Sequence, residues 1–286
     1  MKRIIMSLKI QAEIKIDSEP CVVAWDNQLF IGTDAGTIVT FDGKLSPGPT
    51  WSAHAVQLFA IAAGEGHVYS SSNDGGIRVW TATGEKVAEL SATDADIGAI
   101  QVFGKHVYAG NEAGNVIIYE NNAVKAKYEL LEEVKDIGLS IPYMFTARDL
   151  YVTVTEITPE ESKTRFTTRQ VMEGRAPLAI DGSSLLLTAR GGNGLQLHDL
   201  SLATAFKKLH EVKVSDMILT SLSAKNGYAW TGGWDGCARR WKISNDKLEA
   251  AGDINLGCCI NALVATTPVD AYCLLTGGRI VHVTVA

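Results

Sequence analysis

The stretch VYSSSNDGGIRVW, residues 68–80, carries the reading of the fold. Two others superimpose on it without a gap at a period of 39 residues: LFIGTDAGTIVTF (29–41) and VYAGNEAGNVIIY (107–119). Phe30, Tyr69 and Tyr108 fall at one phase, Gly36, Gly75 and Gly114 at a second, and Phe41, Trp80 and Tyr119 at a third. A fixed period near 40 with an aromatic and a glycine in register marks stacked supersecondary units. Around these segments, short alternating runs rich in Val, Ile, Tyr, Trp and Thr are punctuated by Gly, Asn and Asp, which is a strand-and-turn pattern. In the second unit the alternation predicts strands over 57–63, 67–72, 76–82 and 86–91. Asp74-Gly75 supplies the backbone freedom that a tight hairpin turn needs.

Four antiparallel strands every 40 residues make one blade of a β-propeller. The first three units are followed by a fourth that breaks the rhythm. There, residues 152–157 are expected to pair with 164–171 across a turn at Pro159-Glu160-Glu161-Ser162, leaving little chain for an outer strand. The fifth unit reads SLLLTARGGNGLQLHDL (184–200), the sixth YAWTGGWDGCARRW (228–241) and the seventh CLLTGGRIVHV (273–283). The expected fold is all-β: a single seven-bladed β-propeller of four-stranded antiparallel blades, one domain over residues 1–286, with an irregular fourth blade at about 137–173. The seventh unit ends after its third strand, whereas residues 7–17 alternate like a strand without a partner. Pairing the N-terminal strand into the last blade closes the ring and hides two edges.

Composition narrows the partners. A formal net charge of −6 opposes nucleic acid or an anionic membrane surface, both of which need a basic field. Five cysteines without CxxC spacing suit thiols in a reducing compartment better than a disulfide framework or a zinc site. The N-terminal segment has a basic start but no continuous apolar core, so no signal peptide is expected. No run approaches a membrane span. A cytoplasmic or nuclear protein is expected.

His54, Ser70, Asp74 and Trp80 in the second unit, with His210, Thr231, Asp235 and Trp241 in the sixth, carry a resemblance. With these residues the chain resembles the WD40-repeat propellers, a largely eukaryotic family. That family places a Gly-His before the innermost strand, an Asp between second and third strands, and Trp-Asp at the end of the third. The resemblance implies a hydrogen-bonded His–Ser/Thr–Asp–Trp tetrad inside each of these two blades. The departures are Ala53 and Leu209 for the Gly, Thr81 and Lys242 for the final Asp, and Ala35 and Ala113 at the turn Asp of the first and third units.

His54, Asp74 and Ser70 also offer a hydrolase triad, but nearly the same set recurs in the sixth unit, which argues for stapling rather than catalysis. The six histidines show no HxH or HExxH spacing, so neither a metal nor another cofactor is expected; His67 and His106 share a phase beside a turn and are expected at the surface. Glu160-Glu161 reads as solvated, and Arg239-Arg240-Trp241-Lys242 as an outer strand face. Function is therefore expected from loops on a rigid scaffold: Asp34, Asn73, Glu112, Arg190 and Trp234 at the repeated turn, with Trp51 near the same face. Trp234 is the sharpest candidate, because exposed indoles are enriched among interface anchors. Phe30, Tyr69, Tyr108 and Trp230 are expected to pack between blades. The resulting expectation is a non-enzymatic scaffold for protein or peptide partners, monomeric on its own within a larger complex. The alternative is a propeller-type hydrolase with a site in the central channel.

Overall fold

The computed structural model of the chain describes residues 7–90, 93, 95–244 and 246–286. The basic start of the chain and the last residue of the strand expected over 86–91 lie outside them. The strand β1 (Leu8–Lys15) comes first. A first sheet follows from β2 (Pro20–Trp25), β3 (Leu29–Thr33), β4 (Thr37–Phe41) and β5 (Pro47–Ser52). The second contains β6 (Ala60–Gly64), β7 (His67–Ser72), β8 (Gly75–Thr81) and β9 (Lys86–Glu89). The third contains β10 (Ile97–Phe103), β11 (His106–Asn111), β12 (Asn115–Glu120) and β13 (Ala123–Glu129). The fourth contains β14 (Asp136–Ser140), β15 (Tyr143–Ala147), β16 (Tyr151–Ile157) and β17 (Phe166–Glu173). The fifth contains β18 (Arg175–Asp181), β19 (Ser184–Thr188), β20 (Gly194–Asp199) and β21 (Lys208–Lys213). The sixth contains β22 (Leu219–Lys225), β23 (Tyr228–Gly233), β24 (Cys237–Ser244) and β25 (Lys247–Asn255). The seventh joins β26 (Ile260–Ala265), β27 (Asp270–Leu275) and β28 (Arg279–Val285) to β1, which pairs antiparallel with β28 from Leu8↔Val285 to Lys15↔Arg279.

Two compact units divide these sheets: Cys21–Ala176 holds the first four, and Met1–Pro20 with Pro177–Ala286 holds the last three. Within each unit, the period-2 alternation of a strand gives one neighbour odd residues and the other even ones. Along β11, Val107 and Ala109 pack with Tyr69, Ile77 and Val79 of the second sheet. Tyr108, between them, packs with Ile137, Leu139 and Met144 of the fourth. Phe30 packs against Leu58 and Val68, and Trp230 against Leu263 and Cys273. The aromatic phase in the sequence is thus the contact between successive sheets.

The fourth sheet differs from its sequence reading. It is a regular four-stranded meander, because the second arm of the long hairpin is itself the outer strand β17, in register from Tyr151↔Glu173 to Ile157↔Phe166. The loop between the arms does not project. Lys127 N–H donates to the Lys163 carbonyl at 2.8 Å, Tyr128 Oη donates to the Ser162 carbonyl at 3.0 Å, and Phe166 meets Tyr128 edge-on at 6.2 Å. The loop therefore covers part of the open edge of β13, where unpaired backbone groups would invite another strand.

Candidate functional site

The repeated turn joins the second and third strands of a sheet and supports the connector that leads into the next sheet. At Gly36 (φ +76°) a Cβ would lie 2.2 Å from the His54 carbonyl oxygen, and at Gly114 (φ +82°) it would lie 2.3 Å from the Glu132 backbone nitrogen. Only glycine permits both this backbone conformation and so close an approach. The connector backbone is bonded to the turn as well: Ala53 and His54 N–H groups donate to the Gly36 carbonyl, and Leu130 N–H to that of Gly114.

In the second sheet the connector carries a side-chain relay. Trp80 Nε1–H donates to Ser70 Oγ at 2.9 Å, Ser70 Oγ–H donates to His54 Nε2 at 2.9 Å, and His54 Nδ1–H donates to Asp74 Oδ1 at 2.7 Å. Asp74 Oδ2 accepts from Ala55 N–H at 2.8 Å and meets Arg78 Nη2 at 3.3 Å. Arg78 also donates to the Ala53 carbonyl. These are the spacings of a nucleophile, base and orienting acid. Ser70, however, is 0% exposed, and the Trp80 indole occupies its oxygen. The relay staples strands and connector together, with no approach for a substrate.

The relay titrates in one direction. Burial holds the His54 imidazole below its ordinary 6.5, against the pull of Asp74. Burial pushes Asp74 up, but the Ala55 N–H, His54 and Arg78 outweigh it and leave the carboxyl below its ordinary 3.8. In both cases the unfolded chain binds the proton more readily, so stability rises with pH across each window. The His54 contribution is fully present above pH 6.5 and fades as pH falls below it; that of Asp74 fades below 3.8. Urea midpoints are expected to drop between about pH 7.5 and pH 5, and His54→Gln to flatten that slope. Equal slopes in the two proteins would remove His54 as the cause.

The sixth sheet repeats only part of this. Trp241 Nε1–H donates to Thr231 Oγ1 at 3.0 Å, but His210 is not in the relay. It lies on β21 of the fifth sheet opposite Leu197, where its Nδ1 accepts the Leu248 N–H at 3.2 Å. Ser215, as far ahead of Asp235 as His54 is of Asp74, takes the place: its Oγ–H donates to Asp235 Oδ2 at 2.8 Å. Arg239 reaches the same carboxylate at 2.7 Å. The basic run is therefore no solvated face; Arg239 is spent on Asp235, and Arg240 is buried with its guanidinium 3.6 Å above the Tyr228 ring.

Above this anchored turn stands Trp234, 59% exposed, with its backbone N–H donating to the Ile218 carbonyl at 3.1 Å. Met217, 52% exposed, and Ile218 extend the apolar surface. Ser215 fixes this connector from beneath by accepting the Met217 N–H at 2.9 Å. Ser215, Asp216, Met217, Asp235 and Arg239 line an open cleft of about 470 Å³ beside it. Asp34, Asn73, Glu112 and Arg190 are exposed at the corresponding turns of their own sheets. Trp51 does not join them. It lies on β5, half-buried, with its ring 6.1 Å from that of Trp80 and in contact with the Gly84 turn. Cys258 and Cys259 occupy the connector ahead of β26. His67 is bonded locally to the Glu65 carbonyl, whereas His106 is largely buried and faces Glu120 and Glu160.

Nothing in the sequence marks Met217, Ile218 and Ser215 as part of this surface. The turn itself does carry a signal: Arg78 and Arg239 each follow the turn Asp by four residues, so both turns carry the same ion pair. No family model matches the chain, and no curated protein matches it. A solved structure does: the computationally designed Ika8 protein aligns at 14% identity and a TM-score of 0.71, covering 95% of this chain and 98% of that one. At that identity the likeness carries the fold alone, and the fold is a seven-bladed β-propeller.

Proposed function

We propose that this chain is a divergent WD40-type propeller that works as a non-catalytic interaction scaffold, a single domain that joins a larger cytoplasmic or nuclear complex as a monomer. The observation that carries the reading is Trp234: a large indole, 59% exposed, on a turn whose backbone and connector are bonded in place. A rigid exposed aromatic loses little conformational entropy on binding and supplies large contact area. Met217 and Ile218 widen the platform. Arg190 is exposed at the matching turn of the fifth sheet, and Asn73 and Glu112 at turns of the second and third, each a candidate polar contact by itself. The relay of His54, Ser70, Asp74 and Trp80 supports membership of the WD40 family. Its buried serine supports a non-catalytic role. Protein or peptide partners suit the net charge of −6 better than nucleic acid. Among the described residues no helix is long and apolar enough to cross a membrane.

The test is affinity purification with quantitative mass spectrometry of the wild type, Trp234→Ala, and Trp234→Ala combined with Glu112→Arg. Loss of a central aromatic anchor weakens binding by about 2 kcal/mol, roughly 30-fold, so partners on this surface drop out while the melting temperature stays put. An interactome unchanged by the double substitution would overturn the assignment.

A further inference from the structure

His106 and Glu120 begin and end the β11–β12 hairpin and are paired across it, so their side chains rise from one face of the third sheet. The folded-back loop of the fourth sheet brings Glu160 over the same point. His106 Nε2 lies 3.6 Å from Glu120 Oε2 and 3.7 Å from Glu160 Oε1. It is buried and has no hydrogen-bond partner. A buried ring nitrogen without a partner costs about 1–3 kcal/mol, and these gaps are too long for hydrogen bonds. They are, however, the gaps a shared ion would leave. Bonds of about 2.0–2.2 Å to His nitrogen and carboxylate oxygen set tetrahedral ligand edges of roughly 3.3–3.6 Å.

We propose that His106 Nε2, Glu120 Oε2 and Glu160 Oε1 form a site for a divalent transition-metal ion of the zinc class, which locks the loop of the fourth sheet onto the third. One imidazole and two carboxylates suit zinc, cobalt or nickel rather than calcium or magnesium. Water completes the tetrahedron. The two lysines of the cluster fit this arrangement because each carboxylate keeps its second oxygen for one of them. Glu120 Oε1 lies 2.5 Å from Lys105 Nζ, and Glu160 Oε2 lies 2.7 Å from Lys125 Nζ. Lys125 must yield its 3.1 Å contact with Glu120 Oε2, and Lys105 its 3.6 Å approach to Glu160 Oε1. The lysines orient the carboxylates as outer partners of metal ligands do. Their positive charge weakens the site relative to a closed structural zinc centre. The His106 ring is already fixed by edge-on contact with Tyr108 at 6.2 Å.

Titration of the metal-stripped protein with zinc chloride by calorimetry, and with cobalt chloride by visible absorption, tests the proposal. One equivalent is expected to bind with a Kd on the order of 10 µM, with the absorption of four-coordinate cobalt. Glu160→Gln and His106→Gln are each expected to weaken binding at least about tenfold, whereas Glu161→Gln leaves it unchanged. Glu160 lies on an exposed loop, so its variant folds and keeps the test decisive. Zinc should also slow tryptic cleavage after Lys163 and Arg165 several-fold in the wild type and not in Glu160→Gln. Absence of saturable binding, or binding that survives Glu160→Gln, overturns the proposal; the second outcome would move the ion to the cysteines.

Discussion

Gly114→Ala is expected to destabilise the fold by about 4 kcal/mol or more, and to leave little folded protein at 37 °C. Two effects add at this position. The backbone is left-handed (φ +82°), which costs an L-residue roughly 1–2 kcal/mol. The new methyl would also sit 2.3 Å from the Glu132 nitrogen and 2.7 Å from the Leu131 carbonyl carbon. Both are main-chain atoms of the connector, so relief requires the turn and connector to separate, breaking the Leu130 N–H bond to the Gly114 carbonyl. Gly66 isolates the first effect. Its φ is +78°, but nothing lies within 4 Å of an added Cβ. Gly66→Ala should therefore cost about 1 kcal/mol, within the range of the conformational term alone. Urea denaturation of the two variants decides the matter. Similar losses at the two sites would mean that close approach to the connector is not what the repeated glycine provides.

Asp74→Ala comes next, at roughly 3 kcal/mol. The substitution strands the Nδ1–H of a fully buried imidazole, the Ala55 N–H and one side of Arg78. Removing one partner of a buried charge-assisted pair is far more damaging than the net worth of the pair. Asp235→Ala in the sixth sheet is the comparison, because there no buried imidazole is stranded: the groups left are a rotatable Ser215 hydroxyl, the Cys237 N–H and an Arg239 about as exposed as Arg78. About 1–2 kcal/mol is expected at that site. A double-mutant cycle of His54→Ala with Asp74→Ala should give a coupling above about 1 kcal/mol. If Asp74→Ala proved no worse than Asp235→Ala, the relay through the histidine would contribute nothing beyond the shared Asp–Arg pair.

The fold was legible because several repeats carry the same backbone constraint. Gly36 and Gly114 recur where a connector presses on a turn, and Phe30, Tyr69 and Tyr108 recur where one sheet meets the next. Such positions tolerate few residue types, so they survive as a period. The fourth sheet was harder to read, since a strand at an exposed edge has no comparable constraint: β17 has only one paired side, and its sequence FTTRQVME shows no repeat phase. The surface around Trp234 was half legible. The indole itself stood out, whereas Met217 and Ile218 gain meaning only once the Ser215–Asp235 bond fixes their connector. His210 misled for a related reason. A histidine near the expected spacing was available in the sequence, but only Ser215 sits at the residue count that reaches Asp235. The cluster of His106, Glu120 and Glu160 leaves no local trace, because its members come from a hairpin and a distant loop.

The pairing of β1 with β28 imposes an order of events on synthesis. Leu8 leaves the ribosome long before Val285, yet they are opposite each other in one sheet. Every other sheet is finished by chain made shortly before or after its own neighbours, so each can assemble as it emerges. The seventh cannot. Its apolar strands, among them the buried Val281 and Val283, are left without an outer neighbour until the opening segment of the chain returns. Contacts between such distant residues form slowly. A nascent chain of this protein therefore carries an unpaired β1 until β28 has emerged, and a bare sheet edge in that interval invites capture by another molecule.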